Sequence, residues 1–165
     1  MRLSRLRKVG ASTVVIGLII VAASACSSSP KTTQNLLLQA DAVMGSTGAP
    51  SPQDICVVSS QFQPGEDVVF RVKVYDPATG KAMDDKALKS VVVTLNDGQT
   101  FNARYGGHPG TNPTDFFWST AWAIPANYPT GSVPYQVTAT STDGRTGIFS
   151  EFNVAPSLLT VVSTQ

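Results

Sequence analysis

The sequence has little of what most catalytic and metal-binding sites require. It contains one histidine and two cysteines among 165 residues, and only 14% of its residues are charged. A single histidine, His108, excludes zinc sites built on two or three histidines, two-histidine copper centres and the H-E-x-x-H helix. The sequence also lacks a C-x-x-C-H haem motif, a G-x-S-x-G nucleophile elbow and a glycine-rich phosphate loop. We therefore expect no enzyme activity, no cofactor and no metal site.

The first 25 residues have the composition of a bacterial signal peptide. Arg2, Arg5, Arg7 and Lys8 precede an apolar run of about fifteen residues, which is shorter than the roughly 20 that a membrane-spanning helix needs. Removing these four bases leaves eight bases and eleven acids, a net charge of −3. An acidic chain without a basic cluster gives no electrostatic footprint for nucleic acid, so we exclude that class of partner.

The apolar run ends in Ala23-Ser24-Ala25-Cys26. Small residues before a cysteine resemble the lipobox of bacterial lipoproteins, which implies that lipid is attached to Cys26. Ala23 stands where that motif most often has leucine, and Ala23-Ser24-Ala25 also fits the A-x-A site of the ordinary signal peptidase. Lipidation, ordinary secretion and an uncleaved anchor are the three alternatives. We expect lipidation, which would place the chain at a bacterial cell membrane, facing the extracytoplasmic side.

Residues 26–53 are predicted to form a lipid-anchored flexible tether, because serine, threonine, glycine and proline dominate them and bury little apolar surface. One island, Leu36–Met44, is too apolar for a tether. It is predicted to dock on the domain as a strand or helical turn, or to lie on the membrane as a helix. The domain proper is predicted over residues 54–165.

Alternating apolar residues separated by turn residues predict about seven to eight short strands in that domain. The inward positions predicted from this alternation are Val68, Phe70, Val72, Val74; Val91, Val93, Leu95; Phe101, Ala103, Tyr105; Phe116, Trp118, Thr120, Trp122, Ile124; Val133, Tyr135, Val137, Ala139; and Ile148, Phe152, Val154. Strands are also predicted over Ile55–Val58 and Leu158–Val162, and one helical piece around Asp84–Lys89. The pattern favours an all-β sandwich or barrel.

The segments Pro64-Gly65-Glu66, Gly131-Ser132-Val133-Pro134-Tyr135 and Asp143-Gly144 resemble the turns and strands of immunoglobulin-like and macroglobulin-type modules of bacterial surface proteins. The resemblance covers about residues 54–162 and implies an immunoglobulin-like antiparallel β-sandwich on the cell envelope. It implies no catalytic residue. The Cys…Trp…Cys pattern of antibody domains is absent.

The loop from Tyr105 to Asp115 is the longest irregular stretch between predicted strands, and loops on rigid β scaffolds often carry binding residues. Tyr105, His108, Asp115 and Phe117 are therefore a candidate binding patch for an envelope protein or glycan, with aromatic faces that stack and polar groups that orient. The competing interpretation is that the aromatic residues fill the core and the loop only connects two sheets.

Three further groups contain residue types that can carry chemistry. Cys56 is predicted to be a small buried hydrophobic residue at a strand start, with a disulfide to Cys26 as the alternative if lipid is absent. Asp76, Asp84 and Asp85 match no calcium motif and are predicted to form a solvated loop. The alternative function is copper handling by His108 with Met44, Met83 or Cys56, which requires that folding bring these residues together.

Overall fold

The computed structural model describes residues 35–164, and within them it is an antiparallel β-sandwich. The strands are β1 Leu37–Met44, β2 Gln61–Phe62, β3 Asp67–Tyr75, β4 Leu88–Leu95, β5 Thr100–Asn102, β6 Arg104–His108, β7 Asp115–Ala123, β8 Gly131–Ser132, β9 Tyr135–Ser141, β10 Thr146–Ser150 and β11 Thr160–Val161. A single 3₁₀ turn covers Ala155–Ser157.

Eight of these strands form two four-stranded sheets. Sheet I has the order β1-β3-β7-β6, and sheet II has the order β10-β9-β4-β5. These orders correspond to the ABED sheet and the GFC sheet with one added edge strand of an immunoglobulin-like sandwich. A third, small sheet joins β2, β11 and β8. The predicted fold class is confirmed.

The core lies between sheets I and II and is built from alternate residues of the central strands. Val68, Phe70, Val72 and Val74 of β3 face Val91, Val93 and Leu95 of β4, with Trp118, Trp122, Val137 and Ala139 among them, and all are buried. The rings of Phe70 and Tyr135 meet across the two sheets at 4.7 Å. Each large side chain buried in this way stabilises the fold by roughly 1.5–3 kcal/mol.

The Leu36–Met44 island is a strand of the sandwich. Leu37–Met44 pairs residue by residue with Tyr75–Val68, and Leu36 and Val43 are buried. The alternative in which the island docks on the domain as a strand is thus the observed one, and the sandwich includes residues that the predicted boundary at 54 left out. The signal segment 1–25 and Cys26 lie outside the described residues.

The prediction that Ile148, Phe152 and Val154 face inward is wrong. They are 63%, 80% and 55% exposed. The Asp143-Gly144 turn sets the hairpin register so that Phe149 pairs with the inward-facing Val137, which turns Ile148 to the opposite face. Gly147 also faces inward, where a Cβ would lie 2.5 Å from the carbonyl oxygen of Leu36. Leu36 and Leu38 therefore fill the space that the prediction gave to β10 side chains.

Three other local predictions are corrected. Residues 85–87 form a turn before β4 in place of a helix, because an Asp84 carboxylate oxygen accepts the backbone N–H groups of Lys86 and Ala87. Ile55–Val58 is a turn followed by a single bridge from Val58 to Val43. Cys56 adopts a positive φ of 69° there and is half-buried, so it is not a core residue of a strand.

The chain between β5 and β6 changes sheets. Phe101 on β5 pairs with Val93 in sheet II, whereas Tyr105 on β6 pairs with Trp118 in sheet I. The buried Ala103 lies at the crossing between them. The sequence predicts Phe101, Ala103 and Tyr105 on one face of one strand, and the crossing replaces that strand with two.

Candidate functional site

The candidate patch lies on the hairpin of β6 and β7 at one edge of sheet I. His108 pairs with Asp115, Gly106 with Phe117 and Arg104 with Ser119. The irregular loop is thus only residues 109–114, because β6 includes Gly106–His108, which the sequence predicts as loop. The N–H of Thr114 donates to the carbonyl of His108 at 3.1 Å and closes the hairpin.

The hairpin register divides the four predicted residues between two faces. Tyr105 points toward the core, where its ring lies 5.5 Å from Trp118 and 6.0 Å from Phe116. His108, Asp115 and Phe117 point outward, because they alternate with the buried Trp118 and share rows across the two strands. The outer face of sheet I therefore carries three of the four candidates, whereas Tyr105 packs on the core side of the same sheet.

Phe117 is the centre of this outer face. The His108 ring lies 5.6 Å from it, and the Arg71 guanidinium carbon lies 5.9 Å from its centroid, within the range of a cation–π contact. On β6 its direct neighbour is Gly106, where an added Cβ would meet no atom within 4 Å. Position 106 therefore places no side chain beside the ring, and the contact from β6 comes from His108.

Asp115 is held in place by Lys73 of β3. The Lys73 ammonium donates to both Asp115 carboxylate oxygens, at 2.8 and 2.7 Å, and the backbone N–H of Phe116 adds a bond of 2.8 Å. These contacts hold the pKa of Asp115 below its usual value and raise the pKa of Lys73, mainly through their shared hydrogen bond. Asp115 is thus an ionised group with its oxygens already engaged, which fits a positioning role better than direct ligand binding.

A shallow cleft of about 170 Å³ adjoins Phe117 on this face. Its lining residues are Gln39, Asp41, Arg71, Val72, Lys73, Asp115 and Phe117. The contributions of β1 and β3 were missed from the sequence. Arg71 and Lys73 were visible as the polar side of β3, but only the pairing of β3 with β7 places them beside Phe117.

The proposed copper ligands are not brought together. Met44 and Cys56 lie beside Val68 at the start of β3, while His108 is level with the end of β3, about 20 Å away at some 3.3 Å per residue. Met83 lies beside Val74 near that end of β3, but it is buried in the core, whereas His108 points to the outer face of the sheet. Across residues 35–164, no three His, Cys, Asp or Glu side chains form a metal-binding group.

The aspartate loop is stabilised by hydrogen bonds and an ion pair. Asp76 binds the Arg145 guanidinium at 3.1 Å and accepts the backbone N–H of Ala78, and these bonds lower the pKa of its carboxyl group. Asp84 accepts backbone N–H groups of the turn that precedes β4. Asp76 and Asp84 therefore stabilise backbone turns.

No protein-family model and no curated protein matches this chain. Within the described part of the chain, no helix has the length and apolar character needed to cross a bilayer.

Proposed function

We propose that this chain is a lipid-anchored extracytoplasmic binding protein whose immunoglobulin-like sandwich presents the outer face of sheet I to a component of the bacterial cell envelope. The observation that carries the proposal is the environment of Phe117. Its ring contacts Arg71 and His108 and lies beside a glycine, on the surface and outside the core. A half-exposed ring among charged groups is typical of a recognition surface.

The anchor is proposed from the sequence around Cys26, which lies outside the described residues. From Cys26 to the start of β1 at Leu37, the covalent chain reaches at most about 35–40 Å. An anchor at Cys26 would therefore keep the sandwich close to the membrane, within reach of envelope polymers. The alternative of a secreted, non-lipidated domain would leave the same face free to bind.

The binding proposal is tested by capturing envelope components with the protein and with a variant of its outer face. His108→Ala combined with Phe117→Ala removes the two contacting rings and leaves Tyr105, which packs against Trp118, in place. We expect this variant to lose capture. A variant carrying Gln136→Ala and Thr138→Ala on the outward side of β9 is the control and should capture as the parent does.

Unchanged capture by the His108/Phe117 variant, with its thermal unfolding intact, would place the binding surface elsewhere. Loss of capture in the β9 control alone would identify the outer face of sheet II as the interface. Both outcomes contradict the proposal.

A further inference from the structure

The outer face of sheet I carries a group of basic side chains in an acidic domain. Residues 35–164 contain seven Lys or Arg and eleven Asp or Glu. Three of the seven bases, Arg71, Lys73 and Arg104, lie at neighbouring outward positions of β3 and β6. The remaining bases, Lys81, Lys86, Lys89 and Arg145, lie outside this sheet. Asp41, Asp67 and Asp115 share this face, and Arg104 is the base of the three that has no acidic partner among the described residues.

Arg71 and Arg104 occupy the same row of the sheet, on either side of Ser119. Ser119 pairs with Arg71 of β3 and with Arg104 of β6. Adjacent strands are about 4.8 Å apart, so the two arginine Cα atoms are about 10 Å apart and both side chains can reach a group above Ser119. Two guanidinium groups and a hydroxyl form a binding site of suitable size for a carboxylate.

The hydrogen-bond donors of these two arginines are largely uncommitted. Among the described residues, Arg71 has one ion-pair partner, Asp41 at 3.7 Å, which is beyond hydrogen-bond distance, and Arg104 has none. Arg145 provides the contrast, because its Nε and an Nη bind Asp143 and Asp76 at 2.9 and 3.1 Å. Arg145 is structural, whereas Arg71 and Arg104 remain able to bind an external anion.

The ring of Phe117 lies one row from this pair of arginines. Gly106 leaves a gap among the outward side chains of β6, between His108, which contacts the ring, and Arg104, two residues before Gly106. A ligand that presents a flat C–H surface to the ring and a carboxylate to the arginines would satisfy both features. A six-membered sugar ring carrying a carboxylate has this shape and spacing.

We propose that the outer face of sheet I binds an acidic polysaccharide, whose sugar rings stack on Phe117 and whose carboxylates are bound by Arg71 and Arg104. This inference rests on the proposed function and names the ligand class for the same face. A glycerophosphate lipid headgroup shares the anionic character, but it has no flat ring to stack on Phe117.

The test measures binding of the full-length protein, purified in detergent, to oligogalacturonate and to its methyl ester. The ester has the same sugar chain without the negative charge. We expect oligogalacturonate to bind, the ester to bind at least about tenfold more weakly, and added salt to weaken the acid form alone. Arg71→Ala with Arg104→Ala should reduce binding of the acid to the level of the ester.

Two matched variants separate local from general effects. Lys89→Ala removes one positive charge outside sheet I and should leave binding unchanged. Phe117→Leu keeps an apolar side chain without the flat ring and should weaken acid and ester alike. Glycerophosphoglycerol, a soluble lipid headgroup, should not compete.

Equal binding of acid and ester, or full binding by the double arginine variant, would overturn the proposal. Direct binding of glycerophosphoglycerol with no binding of oligogalacturonate would assign the face to a lipid headgroup. Failure of all acidic sugars, with envelope capture still dependent on His108 and Phe117, would refute the ligand class and leave the proposed function standing.

Discussion

Trp118 and Trp122 occupy inward positions on the same strand, but only one indole has a hydrogen-bond partner. The Trp118 Nε1–H donates to the Met83 carbonyl at 3.2 Å, whereas the buried Nε1 of Trp122 has none within the described residues. Trp→Ala at either site should cost about 3–5 kcal/mol in the free energy of unfolding. Trp118→Phe should cost about 1–3 kcal/mol more than Trp122→Phe, because it also leaves a buried carbonyl unpaired. Urea denaturation of the two Phe variants makes the comparison, and equal losses would show that the Met83 bond contributes nothing.

Asp143, in the β9–β10 turn, links stability to pH. A hydrogen bond from Ser141 and the Arg145 Nε lower the pKa of its carboxyl group to about 2. Because an unfolded aspartate titrates near pH 3.9, the folded state gains stability from this group above that pH and loses it as the pH falls toward about 2. The melting temperature should therefore fall between pH 4 and 2, and less steeply in Asp143→Asn. The same slope in both proteins would contradict the assignment.

Residue identity alone predicted which faces of the central strands are buried but not the composition of the outer face. The alternation of Val68, Phe70, Val72 and Val74 fixes the inward side of β3 because a strand has a period of two. The contact of Arg71 with Phe117 depends on which strand lies beside β3, and no local pattern encodes it. The sequence therefore predicts His108, Asp115 and Phe117 from one hairpin, but it does not predict that Arg71 and Lys73 of β3 contact them.

At the level of elements, β1 lies in the segment predicted as tether, and its loss should lower the stability of the sandwich. It covers the edge of β3 and contributes Ala42 and Val43 to the buried residues. Leu36, just before β1, is also buried. Protein beginning at Asp54 should lose at least about 3 kcal/mol in the free energy of unfolding relative to protein beginning at Asn35, because two large apolar side chains leave the interior. Urea denaturation measures the difference. Equal midpoints and slopes would mean that β1 is dispensable.

The strand predictions failed where tertiary pairing decided the outcome. Ile148 and Phe152 belong to an apolar alternation, but the turn at Asp143-Gly144 fixes the register, and β10 ends at Ser150. Ile55–Val58 is apolar enough for a strand, yet a hydrogen bond from Val57 N–H to the Asp54 carbonyl closes a turn there. In both places a turn, and the register that it imposes on the adjoining strand, overrides the apolar pattern of the segment.

At the scale of the whole molecule, the proposed membrane attachment of the sandwich requires that Cys26 carry lipid. Cys26→Ser should move the protein from the membrane fraction to the soluble fraction of fractionated cells, because lipid attachment requires the thiol. Cys56→Ser, which changes the other cysteine, should leave the protein with the membrane. Retention of the Cys26→Ser protein in the membrane with its signal peptide uncleaved would contradict the lipoprotein proposal.

The central proposal is that the outer face of sheet I, around Phe117, contacts an envelope component. Site-specific photo-crosslinking in intact cells tests it most directly, with the photoreactive residue at position 117 or, as the matched control, at position 138 on the outward side of β9. We expect a crosslinked product of higher mass from position 117 and none from position 138. A product from position 138 alone, or equal products from both positions, would contradict the account.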